Sequence, residues 1–348
     1  MYNFFVEFKY IRLYLDSLKL NINIQKIKQK VVVIFIVLLS MNSALYGQDP
    51  EFTQFYSNPI YLNPAFAGTR LCPRIVMNHR NEWPNISGNF VTTAVSYDQK
   101  VQSLFGGIGF MVLNDNAAKT LQTSRVSMMY AYHQKVTRKL AINFGIEGSY
   151  YQKSVNWDNL TFGDMVDPRR GFVYQTNDVR RDQPVNNLDF SAGLVTYTER
   201  FFMGAAVHHL TEPNESLLQS SEPSPLPMRY TGHLGTVIPL KGKMQYSETE
   251  ETISPNVIYT RQGDFQQLNL GVYVKKGVLV GGVWYRNKDA FIITAGIETD
   301  MLKIGYSYDI TMSKLSIISG GSHEISLGLN FYCKPKKTVY RPLSCPSF

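Results

Sequence analysis

Residues 140–150 read LAINFGIEGSY, and their alternation decides the fold class. Leu140, Ile142, Phe144 and Ile146 share one face of an extended chain, while Asn143, Gly145, Glu147 and Ser149 share the other. A helix would split the four apolar residues between opposite sides of its axis. The second face carries small and neutral groups with a single charge. A soluble sheet would place charge on that outer face, whereas a barrel in lipid turns small polar groups inward. In this register Asn143 points to the lumen and is expected to tolerate an added charge better than the lipid-facing Phe144.

The same period-two pattern runs outward in both directions. Candidate strands lie at 74–83, 90–98, 105–113 and 124–133 before it, and at 188–198, 201–210, 228–239, 253–261, 267–275, 278–287, 290–298, 302–310 and 324–332 after it. That makes about fourteen strands, most of roughly nine to eleven residues, the length a tilted strand needs to cross a bilayer. An even count suits a closed antiparallel ring. Long connections at 153–187, 211–227 and 311–323 alternate with tight ones at 198–200, 275–277 and 299–301. Outer-membrane barrels show this asymmetry between external loops and periplasmic turns. Residues 241–252 break it, being charged and longer, and form a candidate periplasmic contact.

Composition agrees. Charged residues make up 18% of the 348, below the roughly 25% of soluble domains. The net charge is +8, but the first 47 residues hold six of the 35 basic and two of the 27 acidic side chains, so the rest carries +4. No basic face with interleaved aromatics appears, which argues against nucleic-acid binding. Lys26, Lys28 and Lys30 precede the apolar run Val31–Leu39, and Ser43, Ala44 and Gly47 supply small residues before Gln48. This is the pattern of a secretory signal peptide over 1–47, and the run is too short for a spanning helix.

Residues 48–69, QDPEFTQFYSNPIYLNPAFAGT, stand apart from the strands. Pro50, Pro59 and Pro64 fix φ and remove donors, so this stretch is neither an interior strand nor a long helix. Phe52, Phe55, Tyr56, Tyr61 and Phe66 are too many rings to leave in water; they pack on the barrel itself or on a partner. Such anchors between prolines suit an interface, so Phe52, Phe55, Tyr56, Tyr61, Asn63, Pro64 and Phe66 are expected to meet a partner in the periplasm. A plug in the lumen is the alternative. The expected organisation is a leader at 1–47, a periplasmic segment at 48–72, an outer-membrane β-barrel at 73–332 and a periplasmic tail at 333–348.

The same lead-in, followed by His79-Arg80-Asn81-Glu82-Trp83-Pro84, resembles the PorP/SprF family of type IX secretion membrane proteins. Gly305-Tyr306-Ser307-Tyr308-Asp309, the stretch 321–327 (GSHEISL) and Gly282-Val283-Trp284-Tyr285-Arg286 are similar to that family's later strands. The resemblance implies a non-enzymatic outer-membrane component of type IX secretion and gliding. Its implied partners are periplasmic ring components, a peptidoglycan-binding protein and secreted proteins with a C-terminal sorting domain. A transport barrel for an apolar small molecule is the rival reading.

Little in the sequence carries chemistry, and no cofactor or metal is expected. His208 and His209 are adjacent, and adjacent strand residues point to opposite faces, which disfavours a shared ion. Glu147, Glu298 and Asp309 are lumen carboxylates expected to pair with arginines such as Arg80, Arg125 and Arg286. No GxSxG, HExxH or CxxC motif occurs. Cys72, Cys333 and Cys345 all fall at one end of a closing seam; the exported compartment permits a disulfide, and connectivity is open.

Overall fold

The computed structural model describes residues 48–333 apart from 168, 175, 177–182, 218–222, 241–250 and 313–318. The expected leader and most of the expected tail, with Cys345, lie outside the described residues, as does most of the charged 241–252 connection.

Fourteen antiparallel strands form a closed ring. They are β1 (Arg74–Glu82), β2 (Phe90–Val101), β3 (Gly106–Ala117), β4 (Leu121–Lys135), β5 (Ala141–Val155), β6 (Val185–Tyr197) and β7 (Phe201–His208). Then come β8 (Arg229–Thr236, resumed at Ile238–Pro239), β9 (Glu251–Gln262), β10 (Phe265–Lys276), β11 (Leu279–Arg286), β12 (Ala290–Glu298), β13 (Leu302–Thr311) and β14 (Ser322–Asn330). Each strand pairs with its neighbours in sequence, and β1 closes on β14 from Arg74↔Asn330 to Glu82↔Ser322. Closure satisfies the backbone groups that an open edge would leave bare in lipid. Among the described residues no helix is long and apolar enough to span a membrane.

The ring's two rims differ. Connections at 156–184, 209–228 and 312–321 lie at one, beside shorter ones at 83–89, 118–120, 263–264 and 287–289; those at 102–105, 136–140, 198–200, 277–278 and 299–301, all five residues or fewer, lie at the other together with the longer 240–250. The wall is sorted as the alternation requires. Phe144, Ile146, Leu188, Val283 and Ile293 are exposed on the outside, while Asn143, Glu147 and Ser149 are buried inside. An apolar surface running around a whole barrel is far larger than water tolerates, and it is what lipid requires. Phe144→Arg is therefore expected to cost about 2–4 kcal/mol near the midplane. Urea titration of the heat-modifiable band checks this, and an unchanged midpoint would contradict the register.

The lead-in is where the structure departs from expectation. Residues 48–72 were expected in the periplasm; instead the stretch from Asp49 to Gly68 makes its contacts inside the barrel. Phe52, Phe55, Tyr56, Asn63, Pro64 and Phe66 are buried, and Tyr61 is half-buried. Phe55 lies 4.8 Å from the Trp284 ring, Tyr56 lies 5.5 Å from Phe202, and Phe66 stacks at 5.2 Å on His233. The partner-facing placement of these seven residues is thereby corrected. The physical reason is volume: fourteen strands enclose more space than their inward Ser, Thr, Gly and Asn can fill, and rings fill it. Asn143 is corrected as well. Its Nδ2 donates to Ala65 O at 3.3 Å and its side chain has no open lumen beside it, so an arginine there would collide with the lead-in.

Cys72 and Cys333 form a disulfide, with Cα atoms 5.5 Å apart. It joins the approach to β1 with the exit from β14, at the short-turn rim of the closing seam. Because it closes a loop across a sequence separation of 261, the C72S/C333S variant is expected to lose roughly 2–4 kcal/mol. A wild-type urea midpoint for that variant would show the seam to be held by strand pairing alone.

Candidate functional site: the plugged lumen and its two rims

Short local signals shape the lead-in. Pro59 opens a single helical turn (Pro59–Leu62, α1), and Pro64 opens a 3-10 turn (Pro64–Phe66) capped by Asn63, whose Oδ1 accepts from Ala65 N at 2.9 Å. Proline suits the first helical position because its missing donor would be unpaired there. The turns make the segment compact enough to pack its rings while the flanking residues stay extended.

Polar contacts from Thr53, Asn63 and Gly68 secure the segment along the wall. Thr53 N donates to Glu324, and Thr53 Oγ1 donates to Asp309 Oδ2 at 2.8 Å. Asn63 Nδ2 donates to the carbonyls of Leu194 and Ala205, each at 3.1 Å. Gly68 N donates to Asp98 Oδ2 at 2.9 Å, and Asp98 is held in turn by Arg74 at 2.6 Å. Two approaches admit no side chain. A Cβ on Gly145 would stand 2.2 Å from Ala65 N, and one on Gly107 would stand 2.4 Å from the Gly68 Cα. Gly68 itself takes a φ of +66°, which turns the chain out of the lumen.

The charged groups of the wall pair as follows. Glu147 meets Arg125 at 3.1 Å; Asp309 meets Arg80 at 2.9 Å and Arg286 at 3.3 Å. Glu298 departs from the arginine expectation, with Lys303 at 2.8 Å and Lys275 at 3.5 Å ahead of Arg70 at 3.7 Å. Every one of these carboxylates is neutralised by a partner, the arrangement of a structural network. His208 and His209 also depart from expectation: both rings are buried, because β7 ends at His208 and His209 turns inward with a φ of +60°. They serve different partners. His208 lies 3.9 Å from Glu147, while His209 contacts Asp49 at 2.6 Å and Asp189 at 2.7 Å. Burial opposes charge on the His209 imidazole, but the Asp49 carboxylate and the hydrogen bonds to Asp189 and Asp49 outweigh it and push its pKa up to about 9. No His/Cys/Asp/Glu group among the described residues has a metal-binding arrangement.

At the long-loop rim the lead-in lies at the floor of a vestibule of about 890 Å³, lined by Glu51, Trp83, Asp115, Lys153 and Tyr259 among others. Toward the short-turn rim, between Gln54, Tyr56, Glu298 and Lys303, a cavity of about 90 Å³ remains. Ligand pockets usually enclose about 300–1,000 Å³, so this space is too small for a drug-sized molecule.

A closed antiparallel ring with an apolar outside, a polar and plugged inside and one rim of tight turns defines an outer-membrane β-barrel. In outer-membrane barrels generally, tight turns face the periplasm and long loops the exterior. The description "Type IX secretion system membrane protein PorP/SprF" belongs to the family whose sequence model matches residues 44–329. The chain belongs to the PorP/SprF family of type IX secretion system membrane proteins. No curated protein matches it in sequence. Among solved structures it is similar to the outer membrane protein Omp33 of Acinetobacter baumannii, at 8% identity and a TM-score of 0.41 over 76% of this chain and 100% of that one. It is also similar to the toluene transporter TodX of Pseudomonas putida, at 9% identity and a TM-score of 0.41 over 78% and 92%. A third is the translocator domain of the autotransporter NalP from Neisseria meningitidis, at 10% identity and a TM-score of 0.40 over 76% and 89%.

Proposed function

We propose that this barrel is a non-enzymatic docking component of the type IX secretion and gliding machinery. It engages periplasmic ring components and a peptidoglycan-binding protein at its short-turn rim and serves secreted surface proteins that carry a C-terminal sorting domain. The observation that carries this reading is the filled lumen. A segment of the chain itself is hydrogen-bonded to the wall at Thr53, Asn63 and Gly68, and its rings occupy the space a substrate would need. A transport barrel for an apolar molecule would keep a continuous path through that space; here the 890 Å³ vestibule ends on the lead-in at Asp49–Glu51, and the cavity beyond it beside Gln54 and Tyr56 is about 90 Å³. The surfaces available for work are then the rims. In this reading the seven lead-in residues act indirectly, by holding the plug that gives the periplasmic rim its shape.

Chemical cross-linking in whole cells, then solubilisation in detergent, purification of the tagged barrel and identification of the attached proteins, tests the proposal. Ring components cross-linked through the 136–140 or 277–278 turns are the expected result. A tagged barrel recovered free of every secretion component, together with normal secretion by cells that lack the barrel, would overturn it.

A further inference from the structure

The lead-in crosses the lumen from rim to rim, and the order of its contacts gives the direction. Asp49 N donates to Gln262 Oε1 at 3.1 Å, and the Asp49 carboxylate meets His209 at 2.6 Å and Arg229 at 3.3 Å. Gln262 ends β9, His209 follows β7 and Arg229 opens β8, so all three stand at the long-loop rim. Asn58 lies deeper, accepting from Ser96 Oγ at 3.0 Å in the middle of β2. Gly68 is bound by Asp98 near the other end of β2, Arg70 lies 3.7 Å from Glu298 at the end of β12, and Cys72 is bonded to Cys333 at the short-turn rim. A stretch of this length could extend to roughly 70 Å, about twice the ~30 Å hydrocarbon core, which leaves slack for the two helical turns.

We propose that the amino-terminal end of the lead-in is presented at the external surface, across the membrane from Cys333, and that Asp189, His209, Arg229 and Gln262 form a clamp built to hold it there. The clamp has the marks of a made site. His209 takes a backbone conformation that L residues avoid, and such geometry persists where its surroundings over-determine it. Its ring bridges two carboxylates, one from the wall and one from the segment held. Arg229 adds a second cation to the same Asp49 oxygen and places its guanidinium 5.2 Å from the centre of the Tyr61 ring. Gln48 and Asp49 themselves line the vestibule at that rim. The expected leader ends one residue before Gln48, so its removal would leave a free amino terminus at the cell surface.

Cysteine labelling of the full chain tests this in whole cells, in a Cys345→Ser background. Lys119→Cys marks the long-loop rim and Lys139→Cys the short-turn rim; both side chains are exposed. With an impermeant maleimide, Gln48→Cys and Lys119→Cys are expected to react in intact cells and Lys139→Cys only after permeabilisation. Gln48→Cys reacting in step with Lys139→Cys would overturn the proposal. If Gln48→Cys reacts in neither state, Glu51→Cys, which lines the same vestibule outside the clamp, decides: reaction in intact cells supports the proposal, and reaction only after permeabilisation or not at all overturns it.

Discussion

Arg80→Met is expected to destabilise the folded barrel by about 3–5 kcal/mol, because it leaves a buried carboxylate without its cation. Arg80 is 2% exposed and reaches Asp309 at 2.9 Å and Glu324 at 3.7 Å, and it donates to the Thr53 hydroxyl as well. It therefore joins β1, β13, β14 and the plug at one point. Arg286 would still face Asp309, but Glu324 would keep only hydrogen-bond donors: the Thr53 and Gln54 amides and Asn78 Nδ2. Urea midpoints of the heat-modifiable band in detergent read the loss. The double variant R80M/E324Q removes the one stranded charge, Glu324, while Asp309 keeps Arg286, and it is expected to regain most of the loss. A loss under about 1 kcal/mol for R80M would place it among ordinary substitutions and refute the network.

Gly145→Val is expected to turn a sealed barrel into a conducting one. The new Cβ would lie 2.2 Å from Ala65 N and 2.5 Å from Ala65 Cα, and neither backbone can yield as a flexible side chain would. The plug must leave its seat. Barrels of eight strands fill themselves with side chains, while those of sixteen to eighteen hold an aqueous channel, so an unplugged ring of fourteen lies near the open class. Planar bilayers should record little current from the wild type and sustained current from G145V. Protease should also cut the variant within 50–66. A silent, protease-resistant G145V would mean that Pro64 and Ala65 do not dock on β5.

Strand number, rim asymmetry and outward face were legible in the sequence, because a lipid-facing wall forces period two on every strand. LAINFGIEGSY shows its two faces without any knowledge of what lies on either side. What lies inside was not legible. The rings of Phe52, Phe55 and Phe66 have the same composition whether they meet a partner's pocket or Tyr61, Trp284 and His233 inside a lumen. One signal was available: inward positions at 107, 145 and 193 are glycine, and a wall that small calls for something close against it. The rim clamp was hidden for another reason. Alternation predicts that His208 and His209 diverge, and only the left-handed turn at His209 brings both rings inside. The disulfide was one of several pairings until β1 and β14 were seen to adjoin.

The threaded lead-in also dictates an order of assembly. Its near end is fixed at one rim by the disulfide and by continuity with β1, while its far end is clamped at the other. Pushing so many rings through a finished ring is sterically implausible at interior packing density. The hairpins must instead wrap around the segment, which acts as a mandrel. Closure comes last, when β14 meets β1 across about 250 residues of chain, the kind of distant pairing that forms slowly. At that moment Glu324 arrives carrying the acceptors for Thr53 and Gln54, so the final strand is recognised by the part of the barrel made first. A chain deprived of its mandrel would then close late even where the finished ring is sound, and the speed of insertion would separate from the stability of the product.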